Sequence, residues 1–218
     1  MMNSENRTPP SVVVVDYGMG NLRSVQKGLE KAGCQAVVSS DPGRIKSASG
    51  IVLPGVGAFR DCMANLTRAR LVDPVLEAID EGKPFLGICL GMQLLFGVSE
   101  EFGTHDGLGI IPGRVVRFPV DRDLKVPHMG WNRVHFSGSS PLFRGIPDAS
   151  YFYFVHSYYA APDSGEVVSG WTDYGVRFCS SISVDNVFAC QFHPEKSQRW
   201  GLKILENFGN IIIGQEDG

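Results

Sequence analysis

Three residue types that together perform nucleophilic acyl transfer occur here at telling spacings: a thiol, an imidazole and a carboxylate. Cys89 stands at the centre of Gly87-Ile88-Cys89-Leu90-Gly91, between the apolar run Pro84-Phe85-Leu86 and a helix-like run from Met92 to Phe96. This is the Gly-x-nucleophile-x-Gly elbow with cysteine in the serine position. Such a nucleophile sits on a strained strand-to-helix turn, and small neighbours let the turn close. A helix starting there would aim unpaired N–H groups and a partial positive charge at the sulfur. A buried structural cysteine fits the same residue, since free cysteine is among the most buried types, so the elbow alone leaves both readings open.

Far downstream, Phe192-His193-Pro194-Glu195 offers a base and a carboxylate. Residues i and i+2 of an extended segment point the same way, and Pro194 disfavours helix. Glu195 is therefore placed to hold the His193 imidazole, fix its tautomer and stabilise the imidazolium formed when it takes the thiol proton. The bland reading of His193 is a capped surface histidine ahead of a helix. Pro54-Gly55-Val56-Gly57 supplies a third element, because its glycines let backbone N–H groups approach a substrate. Together with the N–H of Leu90, the residue after the thiol, Val56 and Gly57 could form an oxyanion hole. Taken alone, the same four residues also read as an ordinary glycine turn.

These groups need a scaffold that brings distant segments to one edge. Val12 to Val15 reads as a strand buried on both faces, followed by a turn at Asp16 to Gly20 and a helix over Asn21 to Lys31. Strands are predicted over Gln35 to Val38, Ile51 to Leu53 and Phe85 to Ile88. A helical pattern runs from Phe59 to Ile79, with a break before Pro74. That alternation predicts an α/β fold: a mostly parallel sheet flanked by helices, with sites at the carboxyl ends of the strands. After about residue 108 the rhythm changes to shorter strands: Arg114 to Phe118, Val134 to Phe136, Tyr151 to Val155, Val167 to Trp171, Val176 to Val184 and Val187 to Gln191. These predict an antiparallel extension of the sheet in the C-terminal half, closed by a helix from Arg199 to Ile212.

Composition narrows the class. With 218 residues, 43% apolar and 20% charged, the chain suits one folded unit, predicted over 12–213 after a flexible leader over 1–11. A net charge of -3 gives no reason to expect nucleic acid, which usually demands a basic patch. Apolar runs are too short to span a bilayer, and the polar leader lacks a signal-peptide core, so a cytoplasmic protein is expected. Five cysteines without a Cys-x-x-Cys pair suit a reducing compartment. His105, His128, His135 and His156 have no metal-ligand spacing with the cysteines, so neither a metal nor another cofactor is expected. Gly18-x-Gly20 and Gly55-x-Gly57 are incomplete dinucleotide fingerprints, because arginine stands at positions 23 and 60.

The elbow through Gln93, the Pro54 to Gly57 segment and His193-Pro194-Glu195 together resemble the class I (triad) glutamine amidotransferases, nearly from end to end and in order. Within that family, Asp16 to Asn21, Pro127-His128-Met129-Gly130-Trp131-Asn132, Tyr153 to Tyr158 and His193 to Ser197 are similar to the glutaminase subunits of imidazole glycerol phosphate synthases. The resemblance implies glutamine hydrolysis with Cys89 as nucleophile, His193 as base and acid, and Glu195 as its orienter. It implies that Gln93, one helical turn beyond Cys89, binds substrate glutamine. Glu101 would meet the α-ammonium, and Ser157 with Tyr158 the α-carboxylate. Asn21, Trp131, Tyr153 and Lys196 would face a (β/α)8-barrel cyclase, forming a heterodimer of histidine biosynthesis. Two rival expectations stay open at this point. One is the glutaminase of another synthase, for anthranilate or aminodeoxychorismate; the other is an α/β binding protein whose thiol does not turn over.

Overall fold

The computed structural model describes residues 9–119, 124–138 and 140–216, so most of the expected leader lies outside the described residues. Its centre is a five-stranded parallel sheet in the order β2 (Gln35–Ser39), β1 (Ser11–Val15), β3 (Gly50–Gly55), β4 (Phe85–Cys89), β13 (Val187–Cys190). The valine run makes β1 possible, because alternate residues feed opposite faces. Val13 and Val15 pack with α2 (Pro42–Ser47), α3 (Phe59–Arg68) and α4 (Val72–Asp80) through Ile45, Leu66 and Val75. Val12 and Val14 pack on the other side with α1 (Leu22–Lys31) and α6 (Gln198–Glu216) through Leu29, Leu205 and Phe208. Both faces are buried, as the predicted parallel sheet requires.

Beyond β13 the sheet turns antiparallel through β12 (Val176–Val184), β10 (Tyr158–Pro162) and β7 (Ile111–Arg117), then runs to β5 (Phe96–Ser99) and β6 (His105–Asp106). A branch leaves β12 through β11 (Val168–Tyr174) to β8 (His128–Phe136), which pairs with β9 (Ser150–His156). The predicted α/β class with its antiparallel C-terminal half is what the chain adopts.

Several boundaries differ for physical reasons. The helix expected over Met92 to Phe96 is a single turn, α5 (Leu90–Gln93). Leu94, Leu95 and Phe96 are buried on every side, and their carbonyls accept from Leu108, Ile110 and Gly109. A segment with no polar face is free to become a strand, and here Phe96 opens β5. The 59–79 helix breaks at Arg70, whose φ is 57°, and Pro74 sits in the first turn of α4, where a missing N–H costs nothing. The aromatic run Tyr151 to Tyr159 is two strands, parted at Ser157. β8 starts at His128, well before the expected Val134.

The elbow glycines are there because backbone passes against backbone. A Cβ on Gly91 would lie 1.8 Å from the Leu53 carbonyl oxygen of β3, and one on Gly87 would lie 2.9 Å from the Gly91 oxygen. Gly91→Ala is therefore expected to lose about 3 kcal/mol or more of stability, read as a drop in the urea midpoint. A midpoint equal to that of the unaltered chain would show that β3 and α5 can part freely.

Candidate active site

Strand β4 delivers Cys89 to the carboxyl edge of the parallel sheet in a left-handed conformation, φ 56° and ψ -109°. Non-glycine residues are held there only when their surroundings insist, and such positions cluster at active sites. The helix that follows is one turn long, so the macrodipole expected behind the sulfur shrinks to a few local N–H groups. All five cysteines are buried and unpaired, but Cys89 is the one at a strand end opening into a cavity.

β13 lies parallel to β4 with Cys190 opposite Ile88, so the chain just beyond it passes beside Cys89. His193 is pinned there by its backbone: its N–H donates to the Tyr153 carbonyl at 2.9 Å, and its carbonyl accepts from Ser197 Oγ at 2.6 Å. Pro194–Lys196 forms a tight 3₁₀ turn that swings Glu195 back towards the ring. His193 Nδ1 donates to Glu195 Oε1 at 2.8 Å, with the two side chains 3% and 1% exposed. The carboxylate fixes the tautomer, and Nε2 is left buried without a hydrogen-bond partner among the described residues. Burial alone would lower the His193 pKa. Nearby Cys89, through its charge and its contact with the ring, then the hydrogen bond and charge of Glu195, outweigh it and raise the value to about 10. The Cys89 sulfur lies near this ring, and hydrogen bonds of this kind often tighten only when a substrate draws the groups together.

A cavity of about 190 Å³ opens between Cys89 and His193, small beside the roughly 300–1,000 Å³ of drug-sized sites. Val56, Gly57, Leu90, Gln93 and Glu101 line it, together with Ser157, Tyr158 and Lys196. Gly55 pairs with Cys89, so Val56 and Gly57 follow directly alongside the elbow. Two side chains hold that segment: Tyr17 Oη donates to the Pro54 carbonyl at 2.7 Å, and Cys62 Sγ to the Val56 carbonyl at 3.5 Å. Burial raises the Cys62 pKa to about 11 and that of Tyr17 further still, so both stay neutral donors. Because the C=O and N–H of one peptide unit point oppositely, the Gly57 N–H is turned away from Cys62.

Two residues expected to bind substrate have other partners as well. Gln93 is buried, and its Nε2 donates both to the Tyr158 carbonyl and to Gln191 Oε1, each at 2.9 Å. Glu101 Oε2 accepts from the Phe59 N–H at 2.6 Å, capping the start of α3. Trp131 and Tyr153 are cross-strand partners on the β8–β9 hairpin with rings 6.1 Å apart, and Lys196 Nζ stands 5.8 Å over the Tyr153 ring. Asn21 is exposed at the start of α1, on the loop leaving the carboxyl end of β1.

Sequence reasoning missed Gln191, whose Nε2 donates to Cys89 Sγ at 3.7 Å. The available signal was its place two residues before His193, which puts it on the same side of an extended segment. It also set aside His128 and His156 as non-ligands. These two form a buried pair, His128 Nδ1 to His156 Nε2 at 3.1 Å, with His156 Nδ1 2.8 Å from the Tyr158 carbonyl and Asn132 Nδ2 3.2 Å from His128 Nε2.

The sequence profile of the family described as "Glutamine amidotransferase class-I" matches residues 13–211. A protein named "Imidazole glycerol phosphate synthase subunit HisH" from Syntrophotalea carbinolica is 57% identical over 205 residues, covering 92% of this chain and all of that one. Its namesake from Geobacter sulfurreducens is 55% identical, covering 92% and 98%. Among solved structures, a putative GMP synthase protein from Thermoplasma acidophilum superposes with a TM-score of 0.72 at 21% identity, covering 97% of this chain and 98% of that one. At that identity the likeness is one of fold alone.

The buried histidines predict the response to acid. Burial lowers the pKa of His128 to about 4 and that of His156 to about 3. The unfolded chain, whose histidines titrate near 6.5, then binds more protons than the folded one below that pH. Stability is expected to fall as pH drops from about 6.5 and to keep falling until about 3, less steeply once His128 has charged near 4. His193 has the opposite sign: its contribution is complete below about 6.5 and is lost as pH rises through 10. Histidine ring resonances followed from pH 8 to 5 should show His128 and His156 unmoved; titration of either near 6.5 would contradict this.

Proposed function

We propose, since the chain belongs to the class I glutamine amidotransferases and is a glutaminase subunit of the imidazole glycerol phosphate synthase type, that Cys89, His193 and Glu195 hydrolyse glutamine and release ammonia to a synthase partner. The observation that carries this reading is the buried 2.8 Å His193–Glu195 pair beside a strained Cys89, at the mouth of a 190 Å³ cavity. A general base held by its own carboxylate serves turnover, and a passive thiol has no use for one.

Cys89 Sγ attacks the carbonyl carbon of the substrate's side-chain amide. The oxyanion is met by the N–H groups of Gly57 and Leu90, within the Val56–Gly57 and elbow segments. His193 Nε2, carrying the thiol proton, gives it to the departing nitrogen, and ammonia leaves a cysteinyl thioester. Water then adds with His193 as base, releasing glutamate and restoring the thiol. Glu101 turns its carboxylate to the α-ammonium, Ser157 and Tyr158 address the α-carboxylate, and Gln93 stands against the reacting amide.

Ammonia released into bulk water would be protonated and lost as a nucleophile, so this product calls for a sealed passage into a partner. The outward face of the hairpin suits one. Met129 is 63% exposed and Trp131 46%, beside Tyr151, Tyr153 and the Lys196 ammonium, and exposed aromatic and Met side chains are what interface cores are made of. The partner is a (β/α)8-barrel cyclase of histidine biosynthesis, met by Asn21, Trp131, Tyr153 and Lys196, and the heterodimer works in the cytoplasm. Lys196 also lines the cavity, so one residue touches both the docking face and the substrate space. Among the described residues no helix is long and apolar enough to cross a membrane.

Cys89→Ala is expected to abolish glutamine-dependent synthesis by the complex while sparing synthesis from added ammonia. Equal loss of both would sink the assignment. Trp131→Ala should weaken binding of the cyclase about thirtyfold, measured by titration calorimetry, with the unfolding midpoint of the isolated chain unchanged. Undiminished affinity would move the docking face elsewhere.

A further inference from the structure

We infer that Gln191 is a positioning residue for Cys89, held by a hydrogen-bonded thread that runs inward from Asn132 on the β8–β9 hairpin. This rests on Cys89 being the nucleophile. Gln191 is fully buried and one step past the Cys190–Ile88 pair, level with the elbow.

The orientation of its amide is fixed by its partners. A backbone carbonyl only accepts, so the Gln93 atom facing the Tyr158 oxygen is nitrogen. The second hydrogen on that nitrogen meets Gln191, which must present its oxygen, leaving the Gln191 NH₂ group turned to the Cys89 sulfur. A flipped Gln191 would set NH₂ against NH₂ and an oxygen against sulfur. The same logic runs back along the hairpin. His156 Nδ1 faces the Tyr158 carbonyl and carries its proton, so its Nε2 accepts from His128 Nδ1–H, and His128 Nε2 accepts from Asn132. Asn132 Nδ2 also donates to the Asp173 carbonyl at 3.0 Å. One assignment of protons satisfies every link, with both histidines neutral.

The Tyr158 carbonyl is therefore gripped from two sides, by His156 and by Gln93. Gln93 in turn holds Gln191 against the sulfur. The effect at the reacting atom is twofold. The N–H···S contact restrains the cysteine side chain in one direction. It also strengthens when the sulfur bears negative charge, because hydrogen bonds to ions are about twice as strong as neutral ones. Gln191 thereby favours the charged nucleophile without touching substrate. A buried polar thread of this kind acts as a unit, since leaving one member unpaired costs more than the bond it made.

The test reads Cys89 itself. The full chain is treated with iodoacetamide across a pH range, and the alkylation rate at Cys89 is followed by peptide mapping. In Gln191→Met, similar in size but unable to donate, the midpoint of that profile should rise by about one unit. In the complex with the cyclase, kcat for glutamine should fall about tenfold with KM little changed. Gln191→Glu keeps an acceptor for Gln93 but sets an oxygen against sulfur, and its midpoint should rise further. A merely structural glutamine would lower the melting temperature and leave the midpoint in place; that result in a folded variant overturns the inference. Should the variants fail to fold, the unaltered chain still decides. The side-chain amide resonances of Gln191 should shift with the same midpoint as Cys89 alkylation, and resonances that do not move overturn it. Glutamine hydrolysis surviving in Cys89→Ala would instead strike at the nucleophile, a separate outcome.

Discussion

Everything at the site depends on how closely β3 and the elbow approach. Gly91 lies so near the Leu53 carbonyl that no side chain fits between them. That contact wedges Cys89 into φ 56° at the end of β4. The strain is borne by a sheet buried on both faces, whose central strands have little room to relax. From this one contact follow the direction of the thiol, the start of α5 and the position of Val56 and Gly57 beside it. His193 is brought up from the other side by β13, held by Tyr153 and Ser197 through its backbone alone, so its ring is free to serve Glu195 and the cavity.

The histidines illustrate how environment assigns a task. His193, His128 and His156 are all nearly inaccessible to solvent. His193 has a carboxylate on Nδ1 and a thiol near Nε2, and the charges beside it hold the imidazolium against the cost of burial. Among the described residues, the hydrogen-bond partners of His128 and His156 are each other, an amide and a carbonyl, with aromatic rings packed around them, so burial prevails and they stay neutral. One residue type thus provides a proton carrier beyond β13 and a rigid hydrogen-bonding spacer on the β8–β9 hairpin. That hairpin also carries the outward Trp131, Met129 and Tyr151, so docking face and substrate cavity share one piece of backbone.

Much of this was legible in local order. The elbow glycines, the i, i+2 spacing of His193 and Glu195, and the doubled burial of the valine strand are short-range patterns, and short-range patterns survive in a linear string. The long-range partners were not legible. Nothing beside Gln93 in sequence points to Gln191, and nothing near Cys62 points to the Val56 carbonyl. The segment from Met92 to Phe96 reads as helix but is helical only as far as Gln93, because an apolar run without polar neighbours has no period to betray its state. The family resemblance gives Glu101 a role towards substrate, and its cap on the Phe59 N–H needs the fold to appear.

The sequence by itself determined the residue types of the triad, the parallel core and the resemblance to triad glutamine amidotransferases. It could do so because elbow geometry and strand periodicity are properties of consecutive residues. The tertiary structure alone decided which carbonyl each amide meets, which histidines stay neutral, and how deep the helix dipole behind Cys89 runs. Those depend on burial and on atoms far apart in the chain, and both exist only once β4, β13 and the β8–β9 hairpin have come together. The thiol in the elbow is legible in a line of text; the glutamine turned towards its sulfur is a product of packing.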